Sequence, residues 1–232
     1  MDDEIIDAPS PNFDDRDQPV SMVVLHYTGM ADAESAIARL RDPEARVSAH
    51  YVVDEDGRVL RLVDEDKRAW HAGESCWRGL QAVNGASIGI EIVNPGHEFG
   101  YRPFPEAQMQ AVVRLLAGIL QRHAIPPANV VGHSDVAPAR KQDPGELFDW
   151  GLLARHRLAV PRPTSGLIDP GWPDAGFCLA LERYGYDVTD PFAATVAFQR
   201  RFRPELLDGT IDGECRAILL ALLLDRETGQ AM

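Results

Sequence analysis

Ser87-Ile88-Gly89-Ile90-Glu91-Ile92-Val93 is the stretch on which the fold turns. Successive strand side chains point to opposite sides, so Ile88, Ile90 and Ile92 share one face while Gly89, Glu91 and Val93 share the other. A strand that presents three isoleucines needs a sheet around it and an apolar layer against it. The rest of the chain supplies both. Met22-Val23-Val24-Leu25-His26 is a second apolar run, closed by a polar residue. Residues 50–54 and 58–63 flank Glu55-Asp56-Gly57, a Gly-containing turn of hairpin type. Residues 129–132 read as a further short strand. Over 105–123 the apolar residues Met109, Val112, Val113, Leu116, Ile119 and Leu120 fall at helical spacing, and Pro126-Pro127 stops the element. Shorter helices are expected over 32–41 and near 148–157. Strands and helices in this order predict an α/β domain with one central sheet, from which Glu91 projects opposite the isoleucines.

With 232 residues, 45% of them apolar, the chain has material for one main domain and a smaller one. Residues 1–20, rich in Asp and Pro, read as an irregular N-terminal arm. The main domain spans 21–158, and a linker over 159–172 carries Pro161, Pro163, Gly166, Pro170 and Gly171. Three short helical patterns follow over 173–232, clearest at Cys215, Ile218, Leu219, Leu222 and Leu223. A bundle of about 60 residues can fold alone. Each side of the linker is therefore expected to hold its own core, and residues 1–162 to fold without the rest.

Lys and Arg number 23 against 36 Asp and Glu, a formal charge of −13 that repels the phosphate backbone and sets nucleic acid aside as a partner. The same acidity offers no polybasic attraction to anionic lipid. Cys76, Cys178 and Cys215 are odd in number and show no C-x-x-C spacing, so neither a disulfide framework nor a thiolate metal site is implied. Met1-Asp2-Asp3-Glu4 lacks the basic and apolar regions of a signal peptide, and no apolar run approaches the roughly 18 residues of a membrane span. The expected location is the cytoplasm, with the periplasm as the alternative had a leader been removed. Oligomeric state is left open.

Two of the seven histidines and one aspartate stand where chemistry collects. His26 closes an apolar strand, at the sheet edge where α/β proteins commonly bind ligands. His133 follows Val130-Val131-Gly132, and Asp143 sits ten residues later in a loop that Pro138 and Pro144 keep from forming a regular helix. Two imidazoles and one carboxylate form a recognised catalytic zinc set that leaves a fourth position for water, whose pKa the metal lowers to about 7. The same donors suit a non-haem iron site, and Asp143 could instead simply open an Asp-Pro-Gly turn.

Four motifs then point to a family. Gly132-His133-Ser134-Asp135-Val136-Ala137-Pro138-Ala139-Arg140-Lys141-Gln142-Asp143-Pro144-Gly145 resembles the signature of the type 2 N-acetylmuramoyl-L-alanine amidases, particularly those acting on anhydro-muropeptides in cell-wall recycling. Val47-Ser48-Ala49-His50-Tyr51, Ala69-Trp70-His71-Ala72-Gly73-Glu74-Ser75 and Ser87-Ile88-Gly89-Ile90-Glu91 occur in the family's order. The likeness covers about residues 20–158. It implies a mixed sheet with flanking helices, a catalytic zinc ion held by His26, His133 and Asp143, Glu91 as proton acceptor and Lys141 as transition-state stabiliser. A carboxylate beside the metal can take a proton from water and return it to the departing nitrogen. A cation two residues before a ligand is placed to meet a developing oxyanion.

Substrate contacts are expected from Arg46, His50, His71 and Asn84. Arg46 resembles an arginine that contacts a stem-peptide carboxylate, a bidentate task suited to guanidinium. His50 and His71 either line the cleft or orient neighbours as an outer layer. Gly89 beside Glu91 leaves room for a substrate or a water to approach. Trp70 and Trp77 either stack on sugar or pack inside. Tyr184-Gly185-Tyr186, Ala197-Phe198-Gln199-Arg200-Arg201-Phe202 and Asp212-Gly213 resemble the three-helix peptidoglycan-binding module. The implied partner is a muropeptide or peptidoglycan. The rival readings are a non-catalytic peptidoglycan recognition protein, an amidase acting on intact periplasmic peptidoglycan, and a metal-dependent oxygenase.

Overall fold

The computed structural model describes residues 5–228. In chain order they form β1 (Ile5–Asp7), β2 (Phe13–Asp15), β3 (Met22–Tyr27), α1 (Ala33–Arg41), β4 (Tyr51–Val53), β5 (Val59–Arg61), β6 (Lys67–Ala69), β7 (Cys76–Trp77), β8 (Leu80–Gln81), β9 (Ser87–Ile92), α2 (Gly96–Phe99), α3 (Glu106–His123), β10 (Val130–Gly132), α4 (His133–Val136), α5 (Trp150–Arg155), α6 (Asp174–Tyr184), α7 (Pro191–Phe202) and α8 (Gly213–Thr228). The central sheet runs β1-β5-β4-β9-β3-β10. Only β4 and β5 pair antiparallel, through the turn at Gly57, and the other neighbours are parallel, so the sheet is mixed.

Ile88, Ile90 and Ile92 are fully buried beneath α3, packed with Val23, Leu25, Tyr51, Val53, Val112, Leu116 and Ile119. Removing each such side chain from water contributes about 1.5–3 kcal/mol, which makes this face the principal core. The opposite face changes character along the strands. Met22 and Val24 of β3 and Val131 of β10 are apolar at one end, while His26, Glu91 and His133 occupy the C-terminal ends. The parallel strands thus deliver their polar residues to one edge, where crevices form in open α/β sheets.

Residues 1–4 lie outside the described residues, and the remainder of the N-terminal arm contains two short strands, so it is not wholly irregular. β1 adds a parallel strand to β5, and β2 pairs antiparallel with β6. Asn12 donates to the carbonyls of Asp42 and Val47, both at 2.8 Å. Arg16 is a hub, donating to the carbonyls of Glu65, Gly85, Lys67 and Ser87. Three-residue strands are too short to show a period, and their partners lie some 50 residues away, which is why composition alone suggested a coil.

Beyond the linker, α6, α7 and α8 supply the three expected helices, but they do not enclose a core of their own. Phe177, Leu181, Tyr186, Phe198 and Phe202 share one buried cluster with Met22, Val24, Trp77, Val131 and Val136 of the sheet side. The apolar face of β3 and β10 that α3 leaves open is covered by these helices. Among the described residues, no helix is long and apolar enough to cross a membrane.

Candidate active site and metal centre

His26, His133 and Asp143 meet although 117 residues separate the first from the last. His26 Nδ1 lies 2.9 Å from His133 Nδ1, and each is 3.0 Å from Asp143 Oδ2. All three side chains are buried. His26 is the penultimate residue of β3, and His133 opens the single turn of α4. The loop returns so that the Ser134 amide donates to the Asp143 carbonyl at 2.9 Å. Burial opposes ionisation of Asp143, whereas protonated imidazoles beside it would hold its carboxyl well below the usual range. Burial, then the neighbouring His133, pushes His26 down to about 4.

The outer hydrogen bonds fix which nitrogens face inward. Ser87 Oγ donates to the Val83 carbonyl at 2.8 Å and so accepts from His71 Nε2 at 3.1 Å. His71 Nδ1 is then bare and accepts from His26 Nε2 at 3.0 Å, which leaves His26 Nδ1 with a free lone pair. His133 Nε2 donates to the Ala72 carbonyl at 3.0 Å, and its Nδ1 is bare by the same logic. Two imidazole lone pairs and an ionised carboxylate converging in a buried space fit a divalent cation, with the outer partners orienting the ligands.

The room beside Gly89 is taken by protein. A β-carbon there would sit 2.4 Å from His71 Cγ, so the missing side chain admits the His71 ring and does not serve a substrate. Glu91 projects from the same face. Its Oε2 is sealed from solvent and has no hydrogen-bond partner. Burial raises its pKa well above the ordinary value, the Asp143 carboxylate adds to the rise, and Lys141 opposes it.

A cavity of about 370 Å³ opens on this cluster. Glu91, Lys141, His71 and the three converging residues border it, with Tyr27, Arg39 and His97 on its outer walls. Arg140 also borders it and donates to the carbonyls of Ala72 and Glu74, holding the segment that receives His133. Arg46, His50 and Asn84 stand outside. The guanidinium of Arg46 lies 5.8 Å from the centre of the Trp70 ring. His50 is fully buried, accepting from the Gly89 amide at 2.9 Å and donating to the Lys67 carbonyl at 3.0 Å. Asn84 Oδ1 accepts from the amides of His71 and Ala72. Trp77 packs inside, against Tyr184 and Tyr186. Sequence reasoning passed over Ser87 and Arg140, although both lie within the quoted motifs. Nothing local in the sequence pointed to Tyr27, Arg39 or His97.

The model of the Amidase_2 family, described as N-acetylmuramoyl-L-alanine amidase, matches residues 16–146, more than half of the chain. The chain belongs to this amidase family. The amidase is 38% identical over 241 residues to the N-acetylmuramoyl-L-alanine amidase AmiD of Escherichia coli K12, covering 88% of this chain and 82% of that protein. It is 35% identical over 177 residues to the 1,6-anhydro-N-acetylmuramyl-L-alanine amidase AmpD of the same organism, covering 68% of this chain and 93% of that one. In structure it superposes on E. coli AmiD in complex with anhydro-N-acetylmuramic acid-L-Ala-D-γ-Glu-L-Lys with a TM-score of 0.80 at 38% identity, over 89% of each chain. The amidase is therefore a hydrolase of an amide bond, and the oxygenase and non-catalytic readings fall away.

Proposed function

We propose that this amidase cleaves the bond between the lactyl group of N-acetylmuramic acid and L-alanine in muropeptides, with 1,6-anhydro-muropeptides as substrates and zinc as the metal. The ligands in this reading are His26, His133 and Asp143, whose two imidazole nitrogens and one carboxylate are a donor set that suits that ion. Zinc, when bound, supplies Lewis acidity toward water and toward a carbonyl oxygen. Glu91 accepts a proton from the attacking water as its oxygen bonds to the lactyl carbonyl carbon. Lys141 stabilises the charge that develops on the carbonyl oxygen. As the C–N bond breaks, Glu91 passes its proton to the alanine nitrogen, leaving a lactyl carboxylate and a peptide amine. Burial that raises the Glu91 pKa above the ordinary carboxyl range makes it a stronger proton acceptor than an exposed carboxylate, which suits it to taking the proton and passing it on. Arg46, His50 and Asn84 have no catalytic part in this scheme.

The observation that carries the reading is the partnerless buried oxygen of Glu91 in the cavity that also holds the ligand cluster. The anhydro-muropeptide preference rests on similarity to relatives whose substrates are of that kind. Incubation with purified anhydro-muropeptide and, separately, with insoluble sacculi, followed by mass identification of products, tests it. Release of free peptide from the soluble fragment is expected. Cleavage of sacculi alone would reverse the substrate assignment.

A further inference from the structure

The turn that carries His133 is held from the far side of the linker. Asp135, two residues on in α4, is buried, and its Oδ2 accepts the Gly132 amide at 2.7 Å. Its Oδ1 accepts the Tyr186 hydroxyl at 2.6 Å. Burial, with the Asp135 carboxylate, keeps Tyr186 protonated and so keeps it the donor. Arg201 of α7 approaches Oδ2 at 3.4 Å, donates to the Val130 carbonyl at 3.1 Å, and lies 3.3 Å over the Trp150 ring. One carboxylate thus ties the end of β10 to the helices that follow the linker. Because the Ser134 amide also donates to the Asp143 carbonyl, a shift of residues 132–135 would carry both ligand-bearing segments. The preceding residue of α7 reaches a different part of the site. Arg200 Nε lies 3.7 Å from Glu146 Oε2, which also pairs with His97 Nε2 at 3.1 Å on the cavity wall.

We propose that Asp135 is a positioning residue through which Tyr186, in the connection between α6 and α7, and Arg201 of α7 set the geometry of the His133–Asp143 ligand pair, making the segment beyond the linker an intramolecular brace of the active site. The physical basis is that a buried carboxylate is held in place only by its partners, and losing one leaves charge unpaired in a low-dielectric interior. Partners beyond the ligand layer commonly tune a metal site by about 10- to 100-fold in affinity or activity. The proposal rests on the zinc-amidase reading.

The test uses the full chain with Tyr186→Phe, Arg201→Lys and Asp135→Asn. Four quantities are read for each: zinc release rate into a chelator, the visible spectrum of the cobalt-loaded protein, kcat separately from KM, and the Tm of the metal-free protein. Tyr186→Phe removes one oxygen and keeps the ring packing on Trp77, so it is expected to fold. It should release zinc about tenfold faster, alter the cobalt spectrum and lower kcat by a similar factor, with KM little changed. Should Asp135→Asn fail to fold, Tyr186→Phe decides alone. Variants that lose Tm but keep wild-type zinc release, cobalt spectrum and kcat would make Asp135 a fold cap and overturn the inference. A wild-type chain that neither holds zinc nor cleaves muropeptide would instead overturn the reading beneath it.

Discussion

His26 and Glu91 are register partners on neighbouring parallel strands, so a metal-ligand candidate and the proposed base stand side by side on one face of the sheet. The pairing brings Glu91 to the ligand cluster without making it a member. Glu91→Gln should keep fold, metal content and muropeptide affinity while turnover falls by about 10²- to 10⁴-fold, the usual loss for a positioned general base. Measuring kcat, metal stoichiometry and affinity on one preparation separates the cases. Normal turnover would remove Glu91 from the mechanism, and lost metal would make it a ligand.

A single three-ligand cluster requires about one zinc per chain. Elemental analysis of the purified protein should find that ratio, and stringent chelation should abolish cleavage, with recovery on adding zinc back. Full activity in protein shown to be metal-free would refute the ligand assignment.

Gly89→Ala should be disruptive, because the new β-carbon would meet the His71 ring at 2.4 Å, and that ring holds His26 Nε2. Overpacking of this kind typically costs about 1–3 kcal/mol. Urea unfolding is expected to show that loss together with weaker metal retention. A variant as stable as wild type would mean that His71 has room to move.

His50 links stability to pH. Burial, opposed by its bond to the Lys67 carbonyl, pushes its pKa from 6.5 down to about 3. On acidification the unfolded chain takes up this proton first. The contribution is therefore complete above about pH 6.5 and is lost as pH falls toward 3, at about 1.4 kcal/mol per pH unit for one proton. His50→Gln keeps an acceptor for the Gly89 amide and removes the titration. Its unfolding free energy, compared with wild type between pH 6 and 4, should fall less steeply by one proton. Equal slopes would show that His50 does not titrate in this way.

The alternation at residues 87–93, the apolar run ending at His26 and the helical period over 105–123 announced an α/β fold with one central sheet, because strands and helices write their burial into local periodicity. The motif from Gly132 to Gly145 likewise disclosed both of its ligand candidates, since a short loop confines them to one neighbourhood. Tertiary structure alone decided the rest. It filled the space at Gly89 with His71, drew the Asp- and Pro-rich arm into two strand pairs, left Arg46 against Trp70, and joined Asp135 to Tyr186. Each of these contacts joins residues far apart in sequence and involves only a few residues on either side, so no period or composition records it, and only closure of the chain brings the partners within reach.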